Sequence, residues 1–322
     1  MLYSDKLTFV TQNLFTNANE LHVDDLLTLK LIFSSDKQIL KILQNGIDID
    51  DLKNLTLDNL VNLKFRKDSS ENILNNIKNL GELRDKAFSI SEWCGDNNIE
   101  ILSRSSSCYP RRFKDLSDPP VLIFCQGNLS LLNKKKSIAV VGSRKMSTEG
   151  SVIAKRVSEF FSSNDVNIVS GLALGIDTEA HNAALSAGGL TTAIVVDLKK
   201  INPPSNTNLA KKIYKNDGLI MSENIPGTSS GEKYLFTMRN RLQSSLSKVV
   251  LVIEAGKDSG TRSTADAALK QSKKLYCADL LQFPNYQRNS FEGSLNKEYI
   301  ESGKANIFSK KTYQEILDLL NE

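Results

Sequence analysis

The sequence predicts an α/β protein: an extended Rossmann-like, doubly wound and mostly parallel sheet, preceded by a small all-α domain. From Ser137 onward, short β-branched runs alternate with amphipathic helical stretches, which is typical of parallel sheets with right-handed crossovers. Residues 2–93 instead are rich in Leu at three- and four-residue spacing, which indicates helices. We therefore expect a helical domain over residues 1–97 and a Rossmann-like domain over residues 98–322, with residues 98–136 as its lead-in.

The N-terminal segment predicts short helices followed by a longer one. Apolar residues recur at helical spacing between residues 26 and 43, and Gly46 follows them as a predicted C-terminal cap. The same spacing predicts one long helix over residues 69–94. Nothing here indicates chemistry, so we expect a domain for packing or partner binding.

Within residues 98–322, apolar runs predict the strands and amphipathic stretches predict the helices. Strands are predicted at residues 99–102, 121–124, 138–141, 167–170, 190–196, 218–221, 249–253 and 274–278, the last of which is expected to close the sheet. Helices are predicted at residues 149–161, 176–187, 209–215, 232–246 and 261–271.

The composition argues against several classes of protein. No apolar run approaches the ~20 residues that span a bilayer. The N-terminus lacks the basic-then-apolar layout of a secretory signal, so we expect a cytoplasmic protein with no membrane contact. With only His22 and His181 available and no CxxC pair, we expect no disulfide framework, no metal and no cofactor. The cysteines are Cys94, Cys108, Cys125 and Cys277, the last expected to be a small core residue.

The positive charge is concentrated in the second part of the chain. Residues 1–136 contain 18 basic and 18 acidic side chains, so the net charge of +4 lies entirely within residues 137–322. This distribution is compatible with a polyanionic ligand for the Rossmann-like domain.

Three strand ends in this domain share one design: each finishes in small residues and opens a helix whose first amides are expected to lack partners. The carboxyl ends of parallel strands line one crevice, so these loops should converge and form a phosphate site. Arg144 adds a charge that can grip a phosphate through two hydrogen bonds. The residues expected at this site are Gly142, Ser143, Arg144 and Lys145, then Ser170, Gly171 and Gly175, and finally Ser259, Gly260 and Thr261.

The segment FTMRNR suits a chain of alternating phosphates and bases. Phe236 can stack on a base, Asn240 can read or orient it, and Arg239 and Arg241 can hold the backbone. The two arginines point to different faces of a helix, so one is expected to be structural. Pairing of one of them with Glu223 or Glu254 is the alternative.

Asp177 and His181 lie four residues apart on one predicted helix face. This spacing is compatible with acid–base chemistry, but a structural pair near the helix start is the favoured interpretation. The sequence contains no Walker loop and no recognisable nucleophile with its base. We therefore expect no catalytic residue and more readily a binding protein than an enzyme.

Several motifs in this order resemble the DNA-processing protein A (DprA/Smf) family over roughly residues 98–306. They are VGSR, SGLALGIDTEAH, SE, FTMRNR, a strand ending in EA, and SGTRSTA. The resemblance implies an extended Rossmann domain that binds single-stranded DNA, forms a homodimer and helps load a RecA-type strand-exchange recombinase during transformation. It also implies that DNA contacts fall on Arg144, Lys233, Phe236 and Ser259.

The chain departs from the family pattern at two places. VVDLKKINPPSN stands where the family has a glycine-rich stretch, and Cys277-Ala278-Asp279 stands where it has Val-Pro-Gly. Such changes fit a member from a mobile element or a defence system as well as a transformation protein.

Two further functions remain open at this point. The first is a nucleotide-hydrolysing enzyme similar to the LOG family of phosphoribohydrolases, with the SGT sequence at residues 259–261 as its loop and Glu254 as its acid. The second is an antitoxin-like interaction protein whose pocket receives a nucleotide or the product of a neighbouring gene.

Overall fold

The computed structural model describes residues 21–229, 232–283, 286, 290 and 294–322. The chain forms two compact units, one of Met1–Tyr109 with Ser117–Ile123 and one of Pro110–Leu116 with Phe124–Glu322. The helical pattern predicted before residue 21 lies outside the described residues. In the described ranges, no helix is both long enough and apolar enough to cross a membrane.

The first unit is helical, as predicted. Its elements are α1 (Val23–Ile32), α2 (Asp36–Gln44), a 3-10 turn (Ile49–Asn54), α3 (Leu57–Asn62), α4 (Lys67–Lys78), α5 (Leu80–Asp96) and the strand β1 (Glu100–Ser103). Helix α1 packs against α5. Leu27, Ile39 and Leu52 are completely buried, so the leucine-rich spacing does mark a core.

The single long helix predicted over residues 69–94 is wrong. Asn79 leaves the helical conformation, and its amide donates to the carbonyl of Asn76 at 3.0 Å, which ends α4 and lets α5 begin at Leu80. Asparagine competes for backbone hydrogen bonds and so favours helix ends. The predicted cap at Gly46 is confirmed: this residue follows α2 with a φ of +68°, a conformation that glycine adopts easily.

The second unit is built on a mostly parallel sheet whose described strands follow the order β2-β6-β5-β4-β3-β7-β8-β9. The strands are β2 (Leu122–Gly127), β3 (Ser137–Val141), β4 (Asn167–Ser170), β5 (Thr191–Ile194), β6 (Leu219–Ser222), β7 (Val249–Val252), β8 (Lys274–Ala278) and β9 (Asn306–Phe308). Only β2 and β6 pair antiparallel within this order. The chain winds outward from β3 to β6 and then returns to the other side of β3 with β7. The predicted doubly wound sheet is therefore confirmed.

Helices cover both faces of this sheet. They are α6 (Thr148–Ser163), α7 (Ile176–Ser186), α8 (Thr207–Lys215), α9 (Lys233–Leu246), α10 (Thr261–Lys270), α11 (Leu295–Glu301) and α12 (Tyr313–Asn321). Ile138 and Val140 lie in a buried cluster with residues of α6, α7 and α12. Ala139 and Val141, which alternate with them along β3, lie in a second cluster with residues of α10 and α11.

The sheet does not end at β8, although the sequence predicted that β8 would be its last strand. Strand β9 adds a further parallel pair, in which Tyr276 is opposite Asn306 and Ala278 is opposite Phe308. The three residues of β9 are too few to produce a recognisable alternation, which is why the apolar pattern did not predict this strand. Helix α11 packs on β8 and completes the core with Tyr299, which is fully buried.

Candidate nucleic-acid interface

The predicted glycine loops meet where the winding of the sheet reverses. Strands β3 and β7 are neighbours, and the second residues after them are joined by a hydrogen bond from the Ser143 amide to the Glu254 carbonyl at 2.6 Å. The loop after β4 joins them, because the Ile176 amide donates to the Ser143 carbonyl at 3.2 Å. Open α/β sheets bind ligands at this reversal point, beyond the carboxyl ends of the strands. The predicted convergence of the three loops is confirmed.

Glycine is required at three positions of these loops because the chain segments approach closely. Gly175 has a φ of +77°, and a β-carbon there would clash with the backbone of Ser143 and Arg144. A β-carbon at Gly171 would collide with the guanidinium group of Arg239. Gly142 packs in the same way against Ile176 and the Glu254 carbonyl. The glycines therefore allow three loops and one buried arginine to share a small volume.

Several amides that the sequence led us to expect free for phosphate are already bound internally. The Asp177 carboxylate accepts hydrogen bonds from the amides of Gly171 at 3.0 Å and Ala173 at 3.4 Å. The Ser143 hydroxyl accepts from the Lys145 amide at 3.1 Å and donates to the Lys145 carbonyl at 2.6 Å. The expectation of unpaired donors is wrong at these positions, because the acidic and hydroxyl side chains of the loops satisfy them first.

Asp177 and His181 do not form the structural pair that their spacing predicted. His181 instead contacts the Thr191 hydroxyl through Nδ1 at 2.7 Å, and that hydroxyl donates its own hydrogen to the Ile168 carbonyl at 2.6 Å. We assign the proton of the imidazole to Nδ1, since the Thr191 oxygen is left as its acceptor. Burial, together with the positive charge of Arg239, lowers the pKa of His181 to about 3, so the ring is neutral at physiological pH.

Arg239 lies beneath the loops rather than at their surface. Its guanidinium group is buried and donates through Nη1 to the Ile194 carbonyl at 2.5 Å. Burial lowers the pKa of Arg239 to about 10, with the nearby carboxylate of Asp177 acting in the opposite direction. Burial likewise raises the pKa of Asp177, against the opposing effect of Arg239 and of the amide donors. Arg239 is therefore a buried cation that supports the loops from below.

Arg241 is also held internally, which confirms the predicted alternative of a pair with Glu223. The two side chains form a bidentate ion pair with both distances at 2.8 Å, and their exposed fractions are only 14% and 12%. Asn240, predicted to orient a base, donates instead to the Gly260 carbonyl at 3.2 Å and to the Ser263 hydroxyl at 2.7 Å. Helix α9 thus fixes the loop that precedes α10.

Glu254 holds the start of α6. Its carboxylate accepts hydrogen bonds from the Ser147 amide at 2.8 Å and the Ser147 hydroxyl at 2.9 Å, and from the Tyr286 hydroxyl at 3.3 Å. Ser147 in turn caps α6 by accepting from the Gly150 amide. This carboxylate, which the sequence offered as the acid of a hydrolytic enzyme, is engaged in structural hydrogen bonds.

The remaining predicted site residues differ in their hydrogen-bond partners and in their place in the fold. Ser170 is buried and donates to the Val140 carbonyl at 2.7 Å, so it joins β4 to β3. Thr261 is buried as the first residue of α10, and Gly260 precedes it. The Ser259 hydroxyl oxygen is buried and has no hydrogen-bond partner among the described residues.

Arg144 and Phe236 are the predicted residues that meet at the surface. The guanidinium carbon of Arg144 lies 5.6 Å from the centre of the Phe236 ring, and Arg144 and the neighbouring Lys145 are exposed. Lys233, the exposed first residue of α9, lies one helical turn before Phe236. In the described part of the chain Arg144 forms no ion pair, in contrast to Arg241. Three exposed cationic residues and a half-buried ring therefore lie near the reversal point.

The sequence did not reveal one feature of this edge, a cavity of about 210 Å³ that Phe236 lines together with the loop after β5. The loop is the segment that departs from the family pattern, and Ile201 and Pro204 belong to its apolar wall. The available signal was a loop with two prolines between a strand and a helix, but Phe236, which lines the cavity with it, is distant in sequence.

The fold and this edge define a class of protein: a Rossmann-like binder of phosphate chains that combines exposed cations with an aromatic ring. The family model of DNA recombination-mediator protein A matches residues 100–321, and the chain therefore belongs to that family. The resemblance found in the sequence is confirmed.

Known relatives agree with this assignment. The DNA processing protein DprA of Streptococcus pneumoniae is 33% identical over 75% of this chain and 81% of its own length. Protein Smf of Borreliella burgdorferi is 34% identical over 75% of this chain and 77% of its own length.

Solved structures of DprA proteins are also similar to this chain. The X-ray structure of DprA from S. pneumoniae has a TM-score of 0.71 at 27% identity and covers 92% of this chain and 98% of its own. DprA from Helicobacter pylori, described for its single-stranded DNA binding mode, has a TM-score of 0.59 at 28% identity and covers 68% of this chain and 96% of its own.

Proposed function

We propose that this protein binds single-stranded DNA at the carboxyl edge of its sheet and does so without catalysing a reaction on it. The observation that carries the proposal is the exposed contact of Arg144 with the Phe236 ring at the reversal point. A cation next to a stacking surface suits a strand in which phosphates and unpaired bases alternate. Membership of the family and the description of the H. pylori relative support the same ligand.

The contacts of each residue suggest a division of roles. Arg144, Lys145 and Lys233 hold phosphates, because their charged groups are exposed beside the loops. Phe236 stacks on a base. The loop residues Gly142, Ser143, Gly171 and Gly175, together with Ser259, Gly260 and Thr261, shape the surface along which the strand lies.

A second group of residues acts from beneath this surface. Arg239 lies beneath the loops and donates to the Ile194 carbonyl. Asn240 and Arg241 join α9 to neighbouring segments through Gly260 and Glu223. We propose positioning roles for all three, because Arg239 donates through Nη1 to the Ile194 carbonyl and the side chains of Arg241 and Asn240 bind acceptors of the chain itself.

The absence of catalysis in this proposal is supported by the state of the candidate acids and bases. His181 is neutral and buried, and the carboxylate of Asp177 is bound to two amides. Glu254 holds the start of α6. The Asp177 and His181 side chains are buried, and the half-buried Glu254 carboxylate accepts hydrogen bonds from Ser147 and Tyr286.

The proposal extends to the organisation and partners of the protein. We assign DNA binding to residues 98–322 and a separate packing or partner-binding role to residues 1–97. We further propose a cytoplasmic location, as expected from the sequence, and, from the resemblance of the chain to its family, a homodimer that loads a RecA-type recombinase.

Fluorescence anisotropy with a labelled oligothymidylate tests this function. We expect binding at low salt that weakens as salt is raised, with weaker competition by a duplex of equal length and by a mononucleotide. Incubation with nucleoside monophosphates provides the contrasting measurement: release of free base would favour the hydrolytic enzyme. Failure of the oligonucleotide to bind at low salt would contradict the proposal.

A further inference from the structure

The amino edge of the sheet, opposite the site of Arg144 and Phe236, carries a row of lysines. Lysine stands at the start of four parallel strands that are neighbours in the sheet, in the order β3-β7-β8-β9. This amino-edge row consists of Lys135 and Lys136 before β3, Lys248 before β7, Lys273 and Lys274 at the start of β8, and Lys304 two residues before β9. These residues are distant in sequence, and the topology of the sheet brings them together.

The register of the strands places these lysines side by side. Lys274 is opposite Val249 in the pairing of β7 with β8. The residues before them, Lys273 and Lys248, are therefore level as well. The register of β8 with β9 likewise puts Lys304 level with Lys274. Neighbouring strands lie ~4.8 Å apart, so the row from β3 to β9 is about 15 Å long at the backbone.

Arg112 adds a further cation beside the row, at the end of α9. Its guanidinium group donates to the carbonyls of Leu246 at 2.6 Å and Lys135 at 3.2 Å. Lys273 reaches the same helix end, where it donates to the Ser245 carbonyl at 3.5 Å. A helix end attracts cations, but a carbonyl carries only a partial negative charge. The two side chains thus gain hydrogen bonds there without gaining a counter-ion.

The positive charges of this edge act on one another. Burial lowers the pKa of Lys273 to about 8, and the neighbouring Arg112 acts in the same direction, while Asp115 acts against both. In the part of the chain that the structure describes, no ion pair is formed by Lys135, Lys136, Lys248 or Lys274. Like charges held close together destabilise a fold. A polyanion bound along this edge would relieve that repulsion.

The amino-edge row differs from the carboxyl edge in one respect that bears on its ligand. The exposed aromatic side chains of the described residues are Phe88 on α5, Tyr214 on α8 and Tyr234 on α9, and none of these helices leads into a strand of the row other than α9, whose Tyr234 lies in its first turn. Unpaired bases bind proteins largely by stacking on such rings. Cations without a stacking ring suit a ligand that offers phosphates while its bases stay paired and stacked, which is duplex DNA.

We propose that the amino edge of the sheet, along β3, β7, β8 and β9, binds the phosphate backbone of duplex DNA. This surface is separate from the one proposed for the single strand and goes beyond that function. The lysines of the row would contact phosphates as point charges, without reading the base sequence. Arg112 and Lys273 would support the row from the end of α9.

Titration of the full chain with a labelled duplex of about 20 base pairs tests the inference by fluorescence anisotropy. The test variant combines Lys135→Gln with Lys274→Gln, since both side chains are exposed. Loss of two phosphate contacts should weaken duplex binding at least about tenfold near 0.1 M salt and make the slope of log K against log salt shallower by about 1.8. The affinity of the same variant for an oligothymidylate should change less than about twofold, which also establishes that it is folded.

A matched control removes the same charge elsewhere. Lys86 and Lys211 are exposed on α5 and α8, which lead into β1 and β6, outside the row. The combination of Lys86→Gln with Lys211→Gln should keep the duplex affinity within about twofold of wild type. Equal weakening of duplex binding in the two double variants would refute the amino-edge row as the contact surface.

Competition identifies the ligand class. An unlabelled oligothymidylate should not fully displace the duplex, because the two occupy different edges, and full displacement would contradict two surfaces. Polyglutamate of equal total charge should displace the duplex at least about tenfold less effectively than unlabelled duplex does, because duplex DNA carries a denser array of charge. Equal displacement by polyglutamate would assign the row to an acidic protein segment and overturn the proposal.

The outcomes separate this inference from the proposed function. If the chain binds the oligothymidylate but not the duplex, the duplex surface is refuted and single-strand binding stands. If the chain binds the duplex but not the oligothymidylate, the proposed function fails while the amino-edge row stands. Binding of neither ligand would overturn both.

Discussion

Removal of the Arg144 side chain should weaken DNA binding without unfolding the protein. Arg144→Ala deletes an exposed guanidinium group whose carbon lies 5.6 Å from the centre of the Phe236 ring. No buried carboxylate is left unpaired by the change, in contrast to a substitution at Arg241. We therefore expect a small loss of stability, about 0.5 kcal/mol, from the lost cation–π contact.

The expected loss of affinity combines two contributions. A hydrogen-bonded contact of a guanidinium group with a phosphate contributes about 1.5 kcal/mol. The loss of the arginine that lies against Phe236 adds about 0.5 kcal/mol, because the ring is then less well positioned for stacking. The sum of about 2 kcal/mol corresponds to a dissociation constant about 30-fold higher. Since one phosphate contact disappears, the slope of log K against log salt should also become shallower by about 0.7.

The assay is anisotropy titration of an oligothymidylate over a series of salt concentrations. Arg156→Ala serves as the control, because Arg156 is an exposed arginine of α6 near Tyr313 and its removal changes the net charge equally. We expect the control to keep the wild-type slope. If Arg144→Ala binds with wild-type affinity and slope, or if both variants lose affinity equally, the phosphate contact assigned to Arg144 is refuted.

Three further substitutions test the supporting structure. Gly171→Ala should destabilise the protein by about 1–3 kcal/mol in urea unfolding, because its β-carbon collides with the Arg239 guanidinium; unchanged stability would contradict this packing. Arg241→Gln should cost about 3 kcal/mol by leaving Glu223 unpaired, yet change the DNA affinity of folded protein less than about twofold; a large loss of affinity would instead make Arg241 a DNA contact. The lowered pKa of His181 means that only the unfolded chain takes up its proton between about pH 6.5 and pH 3, so the free energy of unfolding should fall by about 1.4 kcal/mol per pH unit as the pH falls through this range. Unfolding measured across this range should show a smaller fall for His181→Gln, and an equal fall would refute the buried neutral ring.

The sequence predicted the fold well where local chemistry decides it. The buried run at residues 138–141 and the turn at Gly142 correspond to β3 and its loop. The strand at residues 167–170 was placed at its observed bounds. These predictions are correct because a short apolar run that ends at a glycine turn is typical of a buried strand in a parallel sheet. Strand β9 was missed because three residues carry too little pattern.

The convergence of the three loops was predicted correctly, whereas the hydrogen-bond partners of their polar groups were predicted less well. Convergence of the loops follows from topology, since carboxyl ends of parallel strands share one edge. Whether an amide is free depends on side chains that come to it from elsewhere, as Asp177 does for Gly171. Sequence spacing shows that Arg239 and Arg241 point to different faces, but not that both faces meet acceptors.

The cavity could not be predicted from the sequence for the same reason, because the residues that line it are distant in sequence. Phe236 of α9 and Ile201 of the loop after β5 both line it, and their proximity depends on how the helix crosses the sheet. Departure from the family pattern identified the loop as unusual, whereas only the folded chain shows that it encloses space.

Photo-crosslinking of a bound oligothymidylate, followed by mass spectrometry of the peptides, shows which edge of the sheet holds the DNA strand. We expect adducts on Phe236 and on the peptide that contains Arg144 at the carboxyl edge of the sheet. Adducts confined to the opposite edge, for example to Lys135 or Lys248 just before β3 and β7, would contradict it.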